Sequence, residues 1–408
     1  MRSVLAAVGS RGDIQPMFNL AHELAGRGHS VTFCAPPEQR ENADGLHFVD
    51  LGDSFRDSPL MRSKDGNSIA FVREVITYLR DQLRKQADTL LDVCAHPVNA
   101  DVFVTSGAIV AGPTIAEALE IGLQVVVYAP QSLPSSELPP PMLPYRRLPR
   151  ILNAGLRELT DAGMELSYMG PLLKIRKHLG LGVGERLTKS YWSDEPILAC
   201  DSELGPAPER ISIPVSQPGY MHPRGVEHTL PAQAQQFIDA GPAPVYVGFG
   251  SMIESDPEAL LAFAVDTVRA TGRRGIVSGG WTEIELGEVA DGILSVGNIS
   301  HYALFPRVAV AIHHGGAGTT ATAALGGTPQ IIVPHFLDQY YWRERVEDAG
   351  IGVPGPRYAD ATPEALAECV VSVLGDRAIL DTAKHMGLEL ASREPVVIAA
   401  DHIVETFG

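Results

Sequence analysis

The clearest indication of the fold lies in residues 4–35, VLAAVGSRGDIQPMFNLAHELAGRGHSVTFCA. Residues 4–8 are uniformly apolar, which is typical of a strand buried on both faces of a sheet. Apolar residues then recur at helical spacing until Gly26 and Gly28 end the helix. A second strand-like run at 30–35 completes the unit, which predicts two parallel strands joined by a helix.

The same alternation continues along the chain and then begins again. Strand-like runs separated by helical patterns lie at 102–105, 124–128 and 196–200, and again at 244–249, 275–278, 292–296, 308–312 and 330–334. Asp256 and Pro257 are typical of a helix start, and the stretch 217–243, rich in Pro, Gly and Gln, is interpreted as a linker. The sequence therefore predicts two doubly wound α/β domains, with a cleft between the carboxyl ends of their strands.

The composition excludes several classes of function. With 408 residues and 45% apolar content, the chain can build two or three domains with substantial cores. Its 32 Lys and Arg against 49 Asp and Glu give a net charge of −17, which disfavours non-specific binding to nucleic acid or an anionic membrane. The four cysteines form no CxxC pair, and no stretch approaches the roughly 20 apolar residues of a membrane span. We therefore expect a cytoplasmic protein without disulfides or structural zinc.

The segment 313–320, HHGGAGTT, follows one predicted strand and leads into a helix. Its three glycines let the backbone approach a ligand closely, and the unpaired amides at the helix start suit a phosphate group. Adjacent residues of an extended segment point to opposite sides, so His313 and His314 are poorly placed to share a metal ion. His314 is the better candidate for a hydrogen bond to phosphate, although a plain glycine-rich turn explains the same residues.

Two further strand ends carry acidic residues. The turn at 9–13, GSRGD, lacks the GxGxxG pattern of dinucleotide-binding proteins, and Asp13 fits either a helix cap or a general base facing the cleft. A helix N-terminus lowers the pKa of a carboxyl, which weakens it as a base unless bound substrate excludes water. Asp338 and Gln339 are suited to binding vicinal hydroxyls, although from the residues alone a helix cap is the more ordinary role for them.

The segment 130–144 contains six prolines in fifteen residues, which excludes a helix or a central strand. It follows directly on a strand end, where loops reach the cleft. The segment is therefore either a stiff surface connection or one wall of a pocket for an apolar substrate. Residues 52–68 are a weaker candidate for a second wall.

Five motifs together resemble a known family: GSRGDIQP at 9–16, GFGSM at 248–252, LFPRV at 304–308, HHGGAGTT at 313–320 and PHFLDQ at 334–339. In order and spacing they are similar to family one of the nucleotide-sugar glycosyltransferases, in the bacterial natural-product and sterol-glucosyltransferase-like branch. The resemblance implies the GT-B fold, in which two doubly wound Rossmann-like domains face each other across a deep cleft. Residues 1–220 would bind the acceptor and 221–391 the nucleotide-sugar, while a helix in 392–408 packs back on the first domain.

The resemblance also implies roles for individual residues. Asp13 takes the position of the general base. The donor would be bound by Ser10, Arg11, Gly12, Gly250, Ser251, Trp281, Asn298, Ile299, His314, Gly315, Gly316, Ala317, Gly318, Thr319, Asp338 and Gln339. Weaker candidates for acceptor contacts are Gln131, Ser132, Leu133 and Met142. Plant members hold the ribose hydroxyls with a glutamate where this chain has Thr322, so a dTDP-sugar is at least as well supported as a UDP-sugar.

On this basis we expect an inverting transfer of a deoxysugar or glucose to a hydroxyl of an apolar natural product, such as a polyketide or glycopeptide aglycone, in antibiotic biosynthesis. A single displacement assisted by Asp13 produces inversion, and without a DxD motif no metal is required, although a non-essential Mg²⁺ is compatible. Two alternatives remain at this point: a non-catalytic helper of another glycosyltransferase, and a sugar-nucleotide epimerase or hydrolase. The sugar, the acceptor, O- or C-glycosylation and the oligomeric state are left open by the sequence.

Overall fold

The computed structural model describes residues 1–9, 11–54, 58–59, 69–96, 98–141, 143, 147–184, 186–226, 228–249, 257–279, 286–297 and 299–408. Within these ranges the chain forms two sheets, each covered by helices, as the alternating pattern predicts. No helix in the described ranges is long and apolar enough to cross a membrane.

The first sheet has six parallel strands in the order β3-β2-β1-β4-β5-β6. Its inner strands are buried on both faces, which explains their uninterrupted apolar runs. The strands are β1 (Arg2–Ala6), β2 (Ser30–Ala35), β3 (His47–Asp50), β4 (Val102–Ser106), β5 (Gly122–Val127) and β6 (Ile197–Leu198). The helices of this half are α1 (Arg11–Gly26), α2 (Ile69–Ala95), α3 (Gly112–Leu119), α4 (Arg150–His178) and α5 (Leu187–Ser190).

The second sheet has seven strands in the order β13-β12-β11-β7-β8-β10-β9, all parallel except the edge pair β9 and β10. The strands are β7 (Val245–Gly248), β8 (Gly275–Ser278), β9 (Gly287–Ala290), β10 (Ile293–Val296), β11 (Val310–His313), β12 (Gln330–Ile332) and β13 (Gly352–Pro354). The helices are α6 (Ala232–Asp239), α7 (Pro257–Ala270), α8 (His301–Leu304), α9 (Ala317–Leu325), α10 (Gln339–Asp348), α11 (Pro363–Gly375), α12 (Arg377–Ala391) and α13 (Pro395–Phe407).

Two local expectations are wrong in detail. The interpretation of 217–243 as a linker without regular structure fails for α6, where Ala234 and Ile238 are buried one turn apart. The strand expected at 196–200 is only two residues long. The described residues of the proline-rich segment, 130–141 and 143, are irregular apart from a 3₁₀ turn at Pro130–Ser132, as their prolines require. Most of the predicted wall at 52–68 lies outside the described residues.

The two halves share a hydrophobic core. Residues around the ends of β5 and β6, such as Leu133 and Leu204, pack with Trp342 of α10 and with side chains of α12. Arg345 of α10 donates to the main-chain oxygen of Leu204 across this interface. The last helix, α13, lies on α1, with Val396, Ala399 and Ile403 among the residues buried there. These contacts hold the two halves in a fixed relative position and thereby shape the cleft between them.

Asp201 anchors the chain segment that crosses between the halves. It follows β6, is 3% exposed, and accepts a hydrogen bond from the Tyr220 amide at 3.2 Å. Gly219 beside it has a φ of +111°, and a Cβ at Gly219 would lie 2.7 Å from the Asp201 carboxyl. The other carboxyl oxygen, Oδ2, is buried without a partner among the described residues. Burial raises the pKa of Asp201 from 3.8 to about 6.

This burial predicts a specific pH dependence of folding. Because the folded state binds the Asp201 proton more tightly than the unfolded chain, the stabilisation is complete below pH 3.8 and is lost as the pH rises through about 6. The loss is on the order of 2–3 kcal/mol for this group. Asp201→Asn, which removes the buried charge, is expected to be more stable than wild type at pH 7.5 and to lose less stability between pH 4.5 and 7.5.

Urea unfolding at the two pH values measures both effects. Asp194→Asn, which changes an exposed carboxyl, serves as the matched control and should follow wild type. The pH dependence attributed to Asp201 is wrong if Asp201→Asn and wild type lose equal stability over this pH range.

Candidate active site

The loop between β11 and α9 exposes backbone amides instead of side chains. Gly316 precedes α9 and has no side chain to cap it, while Gly315 has a φ of +89° that favours glycine. The first helical hydrogen bond runs from the Thr320 amide to the Gly316 oxygen at 3.0 Å. The amides of the three preceding residues, 317–319, therefore face the end of the helix, where partial positive charge accumulates.

His313 holds this loop from behind. Its Nδ1 accepts from the Gly315 amide at 3.1 Å, so its Nε2 carries the proton and donates to Gln330 Oε1 at 2.9 Å. The Gln330 amide group in turn donates to the main-chain oxygen of Thr320 at 3.3 Å. Because His313 and Gln330 are fully buried, this chain of bonds ties β11, β12 and α9 together and sets the loop conformation.

His314 and His335, which lie near the loop, are also neutral. His314 folds over the loop, and a Cβ at Gly316 would lie 2.6 Å from its Nε2. Burial lowers the pKa of His314 well below its usual value, and lowers that of His335 to about 4. An anion at this loop is therefore attracted by amide dipoles, since the imidazoles carry no charge at neutral pH.

The N-terminus of α1 meets this loop from the opposite side of the cleft. A Cβ at Gly318 would lie 3.3 Å from the Gly12 Cα and 2.6 Å from the Tyr220 hydroxyl oxygen. Asp13 lies in the first turn of α1, where its main-chain oxygen accepts a 2.6 Å hydrogen bond from the Tyr128 hydroxyl. Two helix N-termini thus meet around the same space, and the Asp13 carboxylate lies against Gly9, where an added Cβ would be 2.5 Å from its Oδ2.

Asp338 and Gln339 border this space at the start of α10. Asp338 Oδ2 accepts from the Trp342 indole N–H at 2.9 Å. Burial raises the pKa of Asp338 to about 6, and the nearby charge of Asp13 contributes to this rise. Gln339 is buried, and its Oε1 accepts from the amides of His335 and Phe336, so that oxygen supports the loop.

The backbone just before Asp338 is strained. Leu337 has a φ of +54°, a region that non-glycine residues rarely adopt and that costs roughly 1–2 kcal/mol. Phe336 and Leu337 are both nearly half exposed. Strain of this kind is held where the surrounding structure requires one backbone path, here the path that presents Asp338 to the cleft.

Other predicted site residues lie elsewhere or outside the described structure. Gln131 and Leu133 are fully buried, so neither side chain reaches the cleft surface. Gln131 donates to the Pro139 oxygen, and Leu133 packs in the shared core. Ser132, between them, is half-buried. Ile299 is buried in the core beneath α8. The Thr320 hydroxyl donates to the Gly316 oxygen. Outside the described residues lie Ser10, Gly250, Ser251, Trp281, Asn298, Met142 and, for its side chain, Arg11.

Four residues of the site were missed by reasoning from the sequence: Tyr128, Tyr220, Gln330 and Trp342. Gln330 carried a usable signal, since a polar residue in an otherwise apolar strand must find a partner. The other three look like ordinary core or linker residues. Among the described residues, no group of three or more His, Cys, Asp or Glu is arranged to hold a metal ion.

Known proteins share both halves of this architecture. Residues 3–134 match the glycosyltransferase family 28 N-terminal domain, and residues 280–405 match the C-terminal domain of erythromycin biosynthesis protein CIII-like proteins. The chain is 33% identical over 405 residues to the vancomycin aglycone glucosyltransferase of Amycolatopsis orientalis, covering 96% of each protein. It is 31% identical over 362 residues to the dTDP-epi-vancosaminyltransferase of the same organism, covering 86% of this chain and 85% of that protein.

The fold agrees with these relationships. The glycosyltransferase VinC, solved in complex with dTDP, superposes with a TM-score of 0.70 at 19% identity, covering 99% of each chain. Such a likeness at low identity supports the architecture, while the identity to the Amycolatopsis proteins supports the family. The chain therefore belongs to the family one nucleotide-sugar glycosyltransferases and is a glycosyltransferase enzyme with the GT-B fold.

Proposed function

We propose that this enzyme transfers a deoxysugar or glucose from a dTDP- or UDP-sugar to a hydroxyl of a natural-product aglycone, with inversion at the anomeric carbon and without a required metal. The observation that carries the proposal is the meeting of α1 and α9, which brings Asp13 to the same space as the amides before Thr320. This meeting supports a base and a leaving-group site on opposite walls of one cleft.

The proposed diphosphate site follows from the charges around the loop. The chain has a net charge of −17, and the buried histidines are neutral, so attraction for a diphosphate has to come from oriented amides. Thr322 donates its hydroxyl to the Gly318 oxygen and is buried, so it supplies no carboxylate to a ribose. Because a 2′-hydroxyl therefore gains no evident partner at this position, a dTDP donor is at least as well supported as UDP.

In the proposed reaction, Asp13 removes the proton of the acceptor hydroxyl while the hydroxyl oxygen attacks the anomeric carbon. The bond from that carbon to the β-phosphate oxygen breaks on the opposite face, and the electron pair leaves with the nucleoside diphosphate. The N-terminal dipole of α9 stabilises the charge that develops on this leaving group. A single displacement of this kind inverts the anomeric configuration.

Asp338 would hold the donor sugar. Its carboxyl is fixed by the Trp342 indole, which leaves further acceptor capacity on its oxygens. Gln339 would contribute chiefly by holding the turn at 335–336, because its side-chain oxygen is already occupied there. This division of roles differs from the expectation that the Gln339 amide both donates to and accepts from the sugar hydroxyls.

Asp13→Asn tests the proposed base. We expect kcat to fall by about 100- to 10,000-fold, since an amide cannot accept the acceptor proton, while the Kd for nucleoside diphosphate changes little. Turnover of a dTDP- or UDP-sugar with a panel of aglycones measures the first effect, and calorimetric titration with dTDP or UDP measures the second.

Asp266→Asn, on the exposed face of α7, is the matched control and should retain wild-type turnover. Retention of more than a tenth of wild-type kcat by Asp13→Asn would exclude it as the base. Retention of the donor's anomeric configuration in the product, read by proton NMR, would exclude the single displacement.

Binding of the nucleotide by amides predicts metal-independent stabilisation. At 100 times its Kd, dTDP or UDP should stabilise the fold by about 2.7 kcal/mol, equally in EDTA and in Mg²⁺. Gly318→Ala is expected to weaken this binding by about tenfold or more, because its Cβ would press on the Gly12 backbone and displace the loop. Thermal unfolding with and without nucleotide measures both effects.

The control for this substitution is Gly375→Ala. A Cβ at that position, the last residue of α11, has nothing within 4 Å among the described residues. A thermal shift that disappears in EDTA would contradict binding by amides alone. If Gly318→Ala and wild type bind the nucleotide with equal affinity, the diphosphate does not bind at this loop.

A further inference from the structure

Helix α4 presents an apolar seam to solvent. Leu152, Leu159 and Leu166 are seven residues apart and are 53%, 70% and 81% exposed. Gly155 and Ala162, also exposed, alternate with these leucines at spacings of three and four, and Met169 continues the series. This is the heptad arrangement of a helix that packs against another helix, sustained over about 25 Å.

The opposite face of α4 already has partners. Tyr168 and Ile175 pack on the core beside α2, while Arg80 of α2 donates to the main-chain oxygens of Leu166 and Ser167 at one border of the seam. On the seam side, by contrast, a Cβ at Gly155 or at Gly163 would meet nothing within 4 Å among the described residues. Exposed apolar surface in a continuous strip usually marks an interaction site, because its exposure to water is unfavourable.

We propose that the α4 seam binds the α4 seam of a second copy of this chain in an antiparallel helix pair. In that orientation, with the two-fold axis midway between residues 159 and 162, each Leu159 lies opposite Ala162 of the other copy. Leu166 then lies opposite Gly155, and Leu152 opposite Met169. Large side chains thus meet small ones in the central layers, which lets the helices approach closely without voids.

Parallel pairing fits less well. In a parallel pair, layers in which leucine meets leucine would alternate with layers in which glycine meets glycine or alanine meets alanine. The small-residue layers would then leave gaps between the leucine layers. The small residues give the antiparallel pair its self-complementarity, and this property favours a second copy over an unrelated helix.

The charges beside the seam do not require a foreign partner. Glu158 and Glu165 flank the leucines, and a foreign helix with basic flanks would form ion pairs with them. Both carboxylates, however, have partners within their own chain: Glu158 lies 3.9 Å from Arg186, and Glu165 accepts from the Thr188 amide. Antiparallel self-pairing brings Glu158 near Glu165 of the other copy, and the resulting repulsion limits the affinity without preventing association.

Analytical ultracentrifugation of the full chain tests the proposal. One helix pair buries less than a standard interface, so we expect a reversible dimer with a Kd on the order of 1–100 µM. Leu159→Lys should raise that Kd by about 100-fold or more, since two buried leucines are replaced by two charges in each dimer. Leu388→Lys, an equally exposed leucine on α12, is the matched control and should leave the Kd unchanged.

Glu158→Lys is expected to strengthen the dimer and thereby tests the antiparallel orientation of the helices. In the antiparallel pair it replaces two contacts between acids with two contacts between the introduced ammonium group and Glu165, so the dimer should tighten by about fivefold. Circular dichroism and thermal unfolding confirm that each variant remains folded, as expected for exposed positions.

Three results would overturn the proposal: a monomer at about 200 µM, where a dimer of the expected affinity must be populated, a dimer unaffected by Leu159→Lys, or weaker association of Glu158→Lys. If Leu159→Lys instead raised the KM for acceptor with no change in association, the seam would be a wall of the acceptor site. These outcomes are independent of the proposed reaction, because sedimentation requires no turnover.

Discussion

The architecture depends on one close approach, in which the N-termini of α1 and α9 meet at Gly12 and Gly318. A side chain at Gly318 would lie 3.3 Å from the Gly12 Cα, so glycine at this position lets the two halves close around a shared space. The linker reaches the same point through Tyr220, whose hydroxyl oxygen would be only 2.6 Å from that side chain. Because of this contact, Asp13, which directly follows Gly12, lies near the start of α9.

The electrostatics of the site follow from the same arrangement. In the proposed site, an acidic protein with neutral histidines around its loop attracts a diphosphate through oriented backbone groups, which the start of α9 provides. His313 contributes by position, since its bonds to Gly315 and Gln330 hold the amides in place. Asp338 and Asp13 lie close enough for the charge of Asp13 to contribute to the raised pKa of Asp338.

Much of the fold is predictable from the sequence, because strands buried on both faces appear as short apolar runs and strand ends carry the glycine-rich turns. The convergence of residues 13, 314–319 and 338 on one cleft follows from that topology together with the family resemblance. The helix α6 was missed because only Ala234 and Ile238 signal it in a short polar stretch. The network of His313 with Gln330, and the anchoring of Tyr220 by Asp201, depend on tertiary contacts between residues that have no local relationship. Burial of Gln131 and Leu133 could not be predicted for the same reason.

Hydrogen–deuterium exchange with and without nucleoside diphosphate tests the central claim most directly. The claim is that amides at the start of α9 bind the diphosphate while α1 closes the cleft beside them. Saturating dTDP or UDP should slow exchange by about tenfold or more in peptides covering 314–320, with a smaller effect at 11–17. Nucleotide binding that leaves exchange at 314–320 unchanged would contradict this account of the site.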